Sequence, residues 1–223
     1  MNKKTALVTG ASKGIGKEIA RLLRENGYEV CTPTHQELDL ADVEAVEQFV
    51  AKYKETGFDV IVNNAGINDI HNVDEITDDE IRRTMVINFE APLRLIRGLV
   101  PAMKERRYGR IVNIGSIWGI VSKPGRTMYS ATKHAIHGIT STLAVELAPY
   151  NILINTVCPG YTLTELTRKN NTPKQIAAIS ENIPLRRMAQ PEEIAHAVLF
   201  LANECNTYIT GQQIAVDGGF TSI

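Results

Sequence analysis

The sequence has little of what marks a membrane, nucleic-acid-binding or metal-centred protein. No stretch approaches the roughly 20 consecutive apolar residues that span a bilayer. The apolar stretch after Lys3 and Lys4 stops at Thr9-Gly10, too short for the core of a secretory leader. Cysteine is scarce: Cys31, Cys158 and Cys205 lie far apart, are odd in number and form no CxxC pair. That usage suits free thiols in a reducing compartment, and the cytoplasm is the expected location. Charge of one sign is missing too, with 24 Lys and Arg against 25 Asp and Glu and a net charge of −1, so neither nucleic acid nor an anionic membrane is an expected partner. The basic pairs Arg82-Arg83 and Arg106-Arg107 have no interleaved aromatics and read as solvated surface. His134 and His137 are three apart but have no third ligand at a suitable spacing; packing or subunit contact is the better use, and no metal site is expected.

What is present is a regular alternation of apolar runs of strand length with amphipathic runs of helix length. Strands are expected at Thr5–Thr9, Tyr28–Thr32, Asp59–Asn63, Arg110–Ile114, Ile152–Cys158 and Gln213–Val216. Helices are expected at Gly14–Asn26, Asp42–Lys54, Asp79–Lys104 and Met128–Ala148, with a last one after Pro191. Strands such as DVIVN are apolar throughout, as burial on both faces requires. The fold class is therefore α/β: a single-domain, Rossmann-like, doubly wound parallel sheet of six to seven strands with helices on both faces. The least regular stretch, 161–183, follows a strand's carboxyl end, where such sheets bind ligands, and reads as a substrate lid.

Two turns at strand ends carry chemistry. Thr9-Gly10-Ala11-Ser12-Lys13-Gly14-Ile15-Gly16 joins the first strand to the first helix with GxxxGxG spacing, distinct from GxGxxG. Glycines there permit unusual dihedrals and bring backbone N–H groups and a helix N-terminus against a pyrophosphate. Asn63-Asn64-Ala65-Gly66 ends a later strand with small residues and amides, fit to run under a flat ligand and to bond the neighbouring turn; a plain polar turn is the competing use.

Together with Asn113–Ser116 (NIGS), Tyr129–Lys133 (YSATK), Pro159-Gly160 and Thr210–Gly219 (TGQQIAVDGG), these segments resemble the short-chain dehydrogenase/reductase family over nearly the whole chain, in order. The tail and the long helices look closest to 3-oxoacyl-acyl-carrier-protein reductases. The resemblance implies a nicotinamide cofactor bound by Gly10, Ser12, Lys13, Gly14, Ile15, Gly16, Thr32, Asp39, Leu40, Asn64, Ala65, Gly66, Tyr129, Lys133, Pro159, Gly160, Thr162 and Thr164. For the carboxamide end, Thr164 is preferred over Thr162 on spacing. NADP(H) is favoured over NAD(H), because no acid follows the second strand before Glu37 and Lys13 offers a point charge to a 2′-phosphate. Only about six residues separate the second strand from Leu38–Leu40, fewer than a parallel crossover needs, so an edge strand there is expected to be rudimentary.

The same resemblance implies a catalytic set of Asn88, Ser116, Tyr129 and Lys133. Tyr129 and Lys133 are four apart on one helix face, Ser116 lies 13 residues before Tyr129, and Asn88 lies 28 before Ser116. A free phenol, with its pKa near 10, is a poor base at neutral pH. An ammonium nearby and the positive nicotinamide of the oxidised cofactor both favour the phenolate and are expected to shift it downward. Tyr129 would then act as acid in reduction and base in oxidation, with Ser116 polarising the carbonyl. Lys133 would hold ribose hydroxyls and Asn88 a relay water; a buried amide satisfying a helix break is the equal alternative for Asn88. Trp118 reads either as a substrate wall or as core. The expected activity is hydride transfer between a nicotinamide and a carbonyl or secondary alcohol, with a 3-oxoacyl thioester as candidate substrate and Arg126, Arg168 and Lys169 as a suggestive docking patch for its carrier. An NAD-linked sugar, steroid or polyol dehydrogenase and a non-catalytic nucleotide sensor are the alternatives. A homotetramer is expected, with a dimer second.

Overall fold

The computed structural model describes residues 3–223. Six parallel strands, β1 (Thr5–Val8), β2 (Glu29–Cys31), β3 (Val60–Asn63), β4 (Gly109–Ile114), β5 (Ile152–Pro159) and β6 (Gln213–Val216), form one sheet in the order β2-β1-β3-β4-β5-β6. β3, β4 and β5 are buried along their whole lengths, which is why their sequences are mainly apolar without alternation, with Asn63, Arg110, Asn113, Asn155 and Thr156 as buried polar exceptions. Each of these six strands matches its expected counterpart within a residue or so at either end.

Helices α1 (Gly14–Glu25), α2 (Val43–Tyr53), α3 (Asp78–Met85), α4 (Ala91–Arg106), α5 (Thr127–Leu147), α6 (Glu165–Asn170), α7 (Pro173–Glu181) and α8 (Pro191–Ala202) flank the sheet. On one face, Val46 and Phe49 of α2, Leu95 and Leu99 of α4 and Leu147 of α5 bury against Leu7, Ile61 and Ile111. On the other, Ile19 and Leu23 of α1 and Ile194 and Val198 of α8 bury against Val8, Val62 and Val112. The chain leaves β1 outward to β2 and returns past β1 to β3. The crevice of the doubly wound sheet thus opens at the carboxyl ends of β1 and β3, where both glycine-bearing turns lie.

Three expectations need correction. First, Leu38–Leu40 forms no strand, and β2 is the sheet edge. The six-residue connection folds on itself: Leu38 N–H bonds Thr34 O at 3.0 Å, and Asp39 Oδ1 accepts from Ala41 N–H at 2.8 Å. Leu38 and Leu40 instead bury into the core beside α2. Second, the single helix expected at Asp79–Lys104 is interrupted by a π-turn at Val86–Glu90. Pro92 has no N–H, and Ala91 N–H reaches five residues back to Val86 O, widening the turn that carries Asn88. Third, 161–183 is not irregular. It holds α6, capped by the Thr164 side chain, and α7, opened by a Thr172–Gln175 capping box with Pro173 at the first position.

Candidate active site

The two glycine-bearing turns are fastened to each other. Thr9 Oγ1 accepts from the N–H groups of Asn64 and Ala65 at 3.0 and 3.1 Å, and Asn64 Nδ2 donates to Thr9 O and Gly10 O at 2.9 and 3.1 Å. Such closeness leaves no room for side chains. A Cβ on Gly10 would lie 2.9 Å from Ala65 Cα, and one on Gly16 would lie 2.4 Å from both Asn64 Nδ2 and Gly10 O. Gly10 and Gly14 also take φ of 65° and 56°, which side chains disfavour.

A groove of about 590 Å³ runs from this junction across Gly10, Ser12, Asp39, Leu40, Ala65 and Gly66. A backbone cradle that a Cβ would fill, at a helix N-terminus, fits the pyrophosphate of a dinucleotide. Thr34, His35 and Arg83 also line the groove. Sequence reasoning missed all three: Arg83 read as surface, and only the fold brings α3 over the turn after β2. Thr32 does not line the groove. Its hydroxyl accepts from Arg24 Nη2 at 3.3 Å, and it lines a separate cavity between β2 and α2, together with Glu37. The Thr34 N–H and hydroxyl hold the Glu37 carboxyl below its ordinary range.

Lys13 is exposed at the N-cap of α1, and Gly14 and Ile15 begin that helix. Thr164 approaches Gly14, its methyl 3.4 Å from where a Cβ would stand, while its hydroxyl caps α6 through Thr167 N–H at 3.1 Å. Thr162 is buried and donates to Gly160 O at 3.1 Å. Pro159 ends β5, and Gly160 passes so close to Asp217 that a Cβ would sit 2.6 Å from its Cα.

Beyond the groove, the four residues assigned to catalysis converge from three elements. Asn88 on the π-turn accepts from Ile67 N–H at 2.9 Å and donates to Ile67 O at 2.8 Å and Thr132 Oγ1 at 3.2 Å. A Cβ on Gly66 would lie 3.2 Å from Asn88 Oδ1 and 3.7 Å from Lys133 Nζ, so turn, amide and ammonium meet at one point. Lys133 is 5 % exposed, donates to Ile114 O at 2.7 Å and stands 5.4 Å from the centroid of the Tyr129 ring. Ser116, buried just past β4, accepts from Trp118 N–H at 3.2 Å, and its hydroxyl pulls the pKa of the Tyr129 phenol downward.

The electrostatics differ from expectation. Burial lowers the Lys133 ammonium from 10.5 to about 8, since few dipoles replace its lost water. Burial also raises the Tyr129 phenol, and the opposing pulls of the Ser116 hydrogen bond and the Arg126 charge do not overcome it. The protein's own groups therefore do not produce the expected downward shift. Lys133 sits beside the ring and is tied to the Ile114 carbonyl.

Among known proteins, the family model for short chain dehydrogenases matches residues 4–41, and the model described as enoyl-(acyl carrier protein) reductase matches residues 32–221. The chain belongs to the short-chain dehydrogenase/reductase family. The 3-oxoacyl-acyl-carrier-protein reductase FabG of Rickettsia conorii is 38% identical, over 99% of this chain and 98% of the relative. That of Vibrio harveyi is 36% identical, over 97% and 96%. Among solved structures, ElxO with NADP bound superposes with a TM-score of 0.92 at 31% identity, covering 100% of both chains. YwfH, an NADPH-dependent reductase involved in bacilysin biosynthesis, does so with a TM-score of 0.90 at 27% identity over 98% of each. This dehydrogenase/reductase is an NAD(P)-dependent oxidoreductase. Among the described residues no helix is long and apolar enough to cross a membrane.

Proposed function

We propose that this oxidoreductase interconverts a carbonyl compound and its secondary alcohol, that it prefers NADP(H), and that Ser116, Tyr129 and Lys133 carry the chemistry. The observation that supports this most directly is a buried ammonium, Lys133, standing both beside Gly66 of the groove and 5.4 Å from the Tyr129 ring centroid, with Ser116 acting on the same phenol. A bound nicotinamide supplies the hydride in reduction and accepts it in oxidation. The chain's own groups handle the oxygen. Ser116 Oγ donates to the carbonyl oxygen, and Tyr129 Oη gives its proton to the developing alkoxide. A phenol held upward by burial keeps that proton at rest, which suits reduction. Lys133 lends positive charge as the phenolate forms and is placed to reach ribose hydroxyls. Both N–H bonds of Asn88 are committed to Ile67 and Thr132, so we assign it a positioning role over the Gly66 turn; a relay water would have only Oδ1 to hold.

For the cofactor, His35 and Arg83 line the groove and Lys13 flanks it, whereas Glu37 lines another cavity. A 2′-phosphate would meet the Arg83 guanidinium there, with the Asp39 carboxylate on the same groove left to the adenosine. ElxO with NADP and NADPH-dependent YwfH support the same preference. The relatives' names bring 3-oxoacyl thioesters among the candidate substrates. We further propose that 161–183 acts as a substrate lid, that the protein works in the cytoplasm, and that it assembles as a homotetramer through α4 and α5. Between those helices Leu93, Val100, Pro101 and Leu143 line an open cavity.

Two measurements test this function. Titrated separately and followed by nicotinamide fluorescence, NADPH is expected to bind at least about ten-fold tighter than NADH; equal affinities would refute the preference. Tyr129→Phe is expected to lower ketone reduction by roughly 10²–10⁴-fold while leaving NADPH binding intact. Unchanged turnover would remove the assigned chemistry.

A further inference from the structure

A further cavity, of about 610 Å³, opens at Trp118, and its walls come from four separate segments. Trp118 follows Ser116 by two residues, Tyr161 follows Gly160 directly, and Phe220 stands near the end of the chain. Their rings meet edge to face, with centroids 5.5 to 6.0 Å apart and interplanar angles of 81° to 86°. Ile179 of α7 adds an aliphatic wall. Such a surface takes a flat or apolar ligand body. Lys123 is the only charged side chain in the lining. Its Nζ donates to Tyr161 Oη at 3.3 Å and lies 5.8 Å from the centroids of both Trp118 and Tyr161, and it pairs with no carboxylate among the described residues. Three residues on, Arg126 Nε and Nη1 are buried without a hydrogen-bond partner among the described residues, and the charge of this guanidinium reaches the Tyr129 phenol. The loop between β4 and α5 thus carries two cations, Lys123 and Arg126, that pair with no carboxylate among the described residues.

We propose that Lys123 makes this enzyme selective for an oxo acid, a carbonyl compound with an apolar body and one carboxylate, whose ring or chain lies on Trp118, Tyr161 and Phe220 while its carboxylate meets the Lys123 ammonium. This rests on the carbonyl-reducing function above and narrows its substrate, away from neutral ketones and from thioesters that are uncharged near the carbonyl. One ammonium balances one carboxylate. A phosphate dianion would leave a charge uncompensated against three aromatic rings.

The experiment compares acids with their neutral esters on the whole protein in the presence of NADP(H). Two pairs are used: benzoylformate with methyl benzoylformate, and 4-acetylbenzoate with methyl 4-acetylbenzoate, with acetoacetyl-coenzyme A as the thioester. Binding to the NADP⁺ complex is followed by the emission of Trp118, the single tryptophan, and turnover by NADPH oxidation. At least one acid is expected to bind about ten-fold tighter than its ester, and to be turned over with a correspondingly higher kcat/KM than its ester and than the thioester. Lys123→Met is expected to abolish that preference by raising KM for the acid, with kcat for the ester unchanged. Lys123→Arg should retain it. Equal binding of acid and ester in both pairs, or a preference that survives Lys123→Met, would overturn the proposal without help from any variant that misfolds. Acid binding that depends on Lys123 but leads to no reduction would support the anion site and refute the carbonyl-reducing function instead.

Discussion

Replacing Lys133 with methionine should make the protein more stable at neutral pH while destroying its activity. The Lys133 Nζ is enclosed, with the Ile114 carbonyl as its one hydrogen-bond acceptor, and its pKa falls from 10.5 to about 8 because burial penalises the charged form. Below about pH 8 both folded and unfolded chains carry the proton, and the folded state bears the whole penalty. Between about 8 and 10.5 the folded chain has released the proton and the unfolded chain retains it. Unfolding then takes up protons, and stability rises with pH across that window. A fall from 10.5 to about 8 corresponds to about 3 kcal/mol withheld at pH 7. Methionine fills similar space without charge but leaves Ile114 O without its donor, which costs about 1 kcal/mol. The net expectation at pH 7 is a variant more stable by about 2 kcal/mol. Urea unfolding of the protein without dinucleotide, read by Trp118 emission at pH 7 and pH 10, measures it. The advantage should shrink to nothing or reverse at the higher pH. A variant less stable than wild type at pH 7, or an advantage independent of pH, would show that the ammonium is not destabilised by burial.

Gly16→Ala places a methyl 2.4 Å from both Asn64 Nδ2 and Gly10 O; prying the two turns apart should weaken NADPH binding by at least about thirty-fold in a fluorescence titration, and unchanged affinity would show that the turn junction is not the cofactor cradle. Asn88→Ala removes three hydrogen bonds, two to Ile67 and one to Thr132. It should lower the melting temperature by about 5–10 °C by differential scanning fluorimetry, and an unchanged value would deny the amide its positioning role. Arg83→Glu puts an acid on the groove wall and should lower the preference for NADPH over NADH by about ten-fold or more, measured as a ratio of dissociation constants; a constant ratio would remove Arg83 from cofactor recognition.

What the sequence made legible were features set by local patterning. Apolar runs such as VIVN could only be central strands, and GxxxGxG and NNAG announced turns that then proved to be fastened through Thr9 and Asn64. The π-turn at Asn88 had a readable cause in Pro92, but a long apolar periodicity running through it masked the break. Helices α6 and α7 had readable caps at Thr164 and at Thr172 with Gln175, although their few apolar residues, none of them buried, gave no helical stripe. Arg83, His35 and the unpaired nitrogens of Arg126 were beyond reach for a different reason. Each matters because of what a remote segment does, and a pair such as Arg82-Arg83 looks the same whether it faces water or a groove.

The missing strand has a chemical consequence. β2 is at the edge and only three residues long, and the residues just past its end, Thr32 to Gln36, carry no acid toward the groove. The connection in place of the missing strand is held by its own side chains, Thr34 to Glu37 and Asp39 to Ala41, and Glu37, tied to Thr34, lines the separate cavity rather than the groove. We propose that recognition at that end falls to His35 on the turn and to Arg83 on α3, both of which line the groove. The charges that line the groove are then the Arg83 guanidinium and the Asp39 carboxylate, with His35 Nδ1 3.5 Å from the latter. On the proposed function, the cofactor preference rests on Arg83 of α3, the helix that runs directly into the π-turn carrying Asn88.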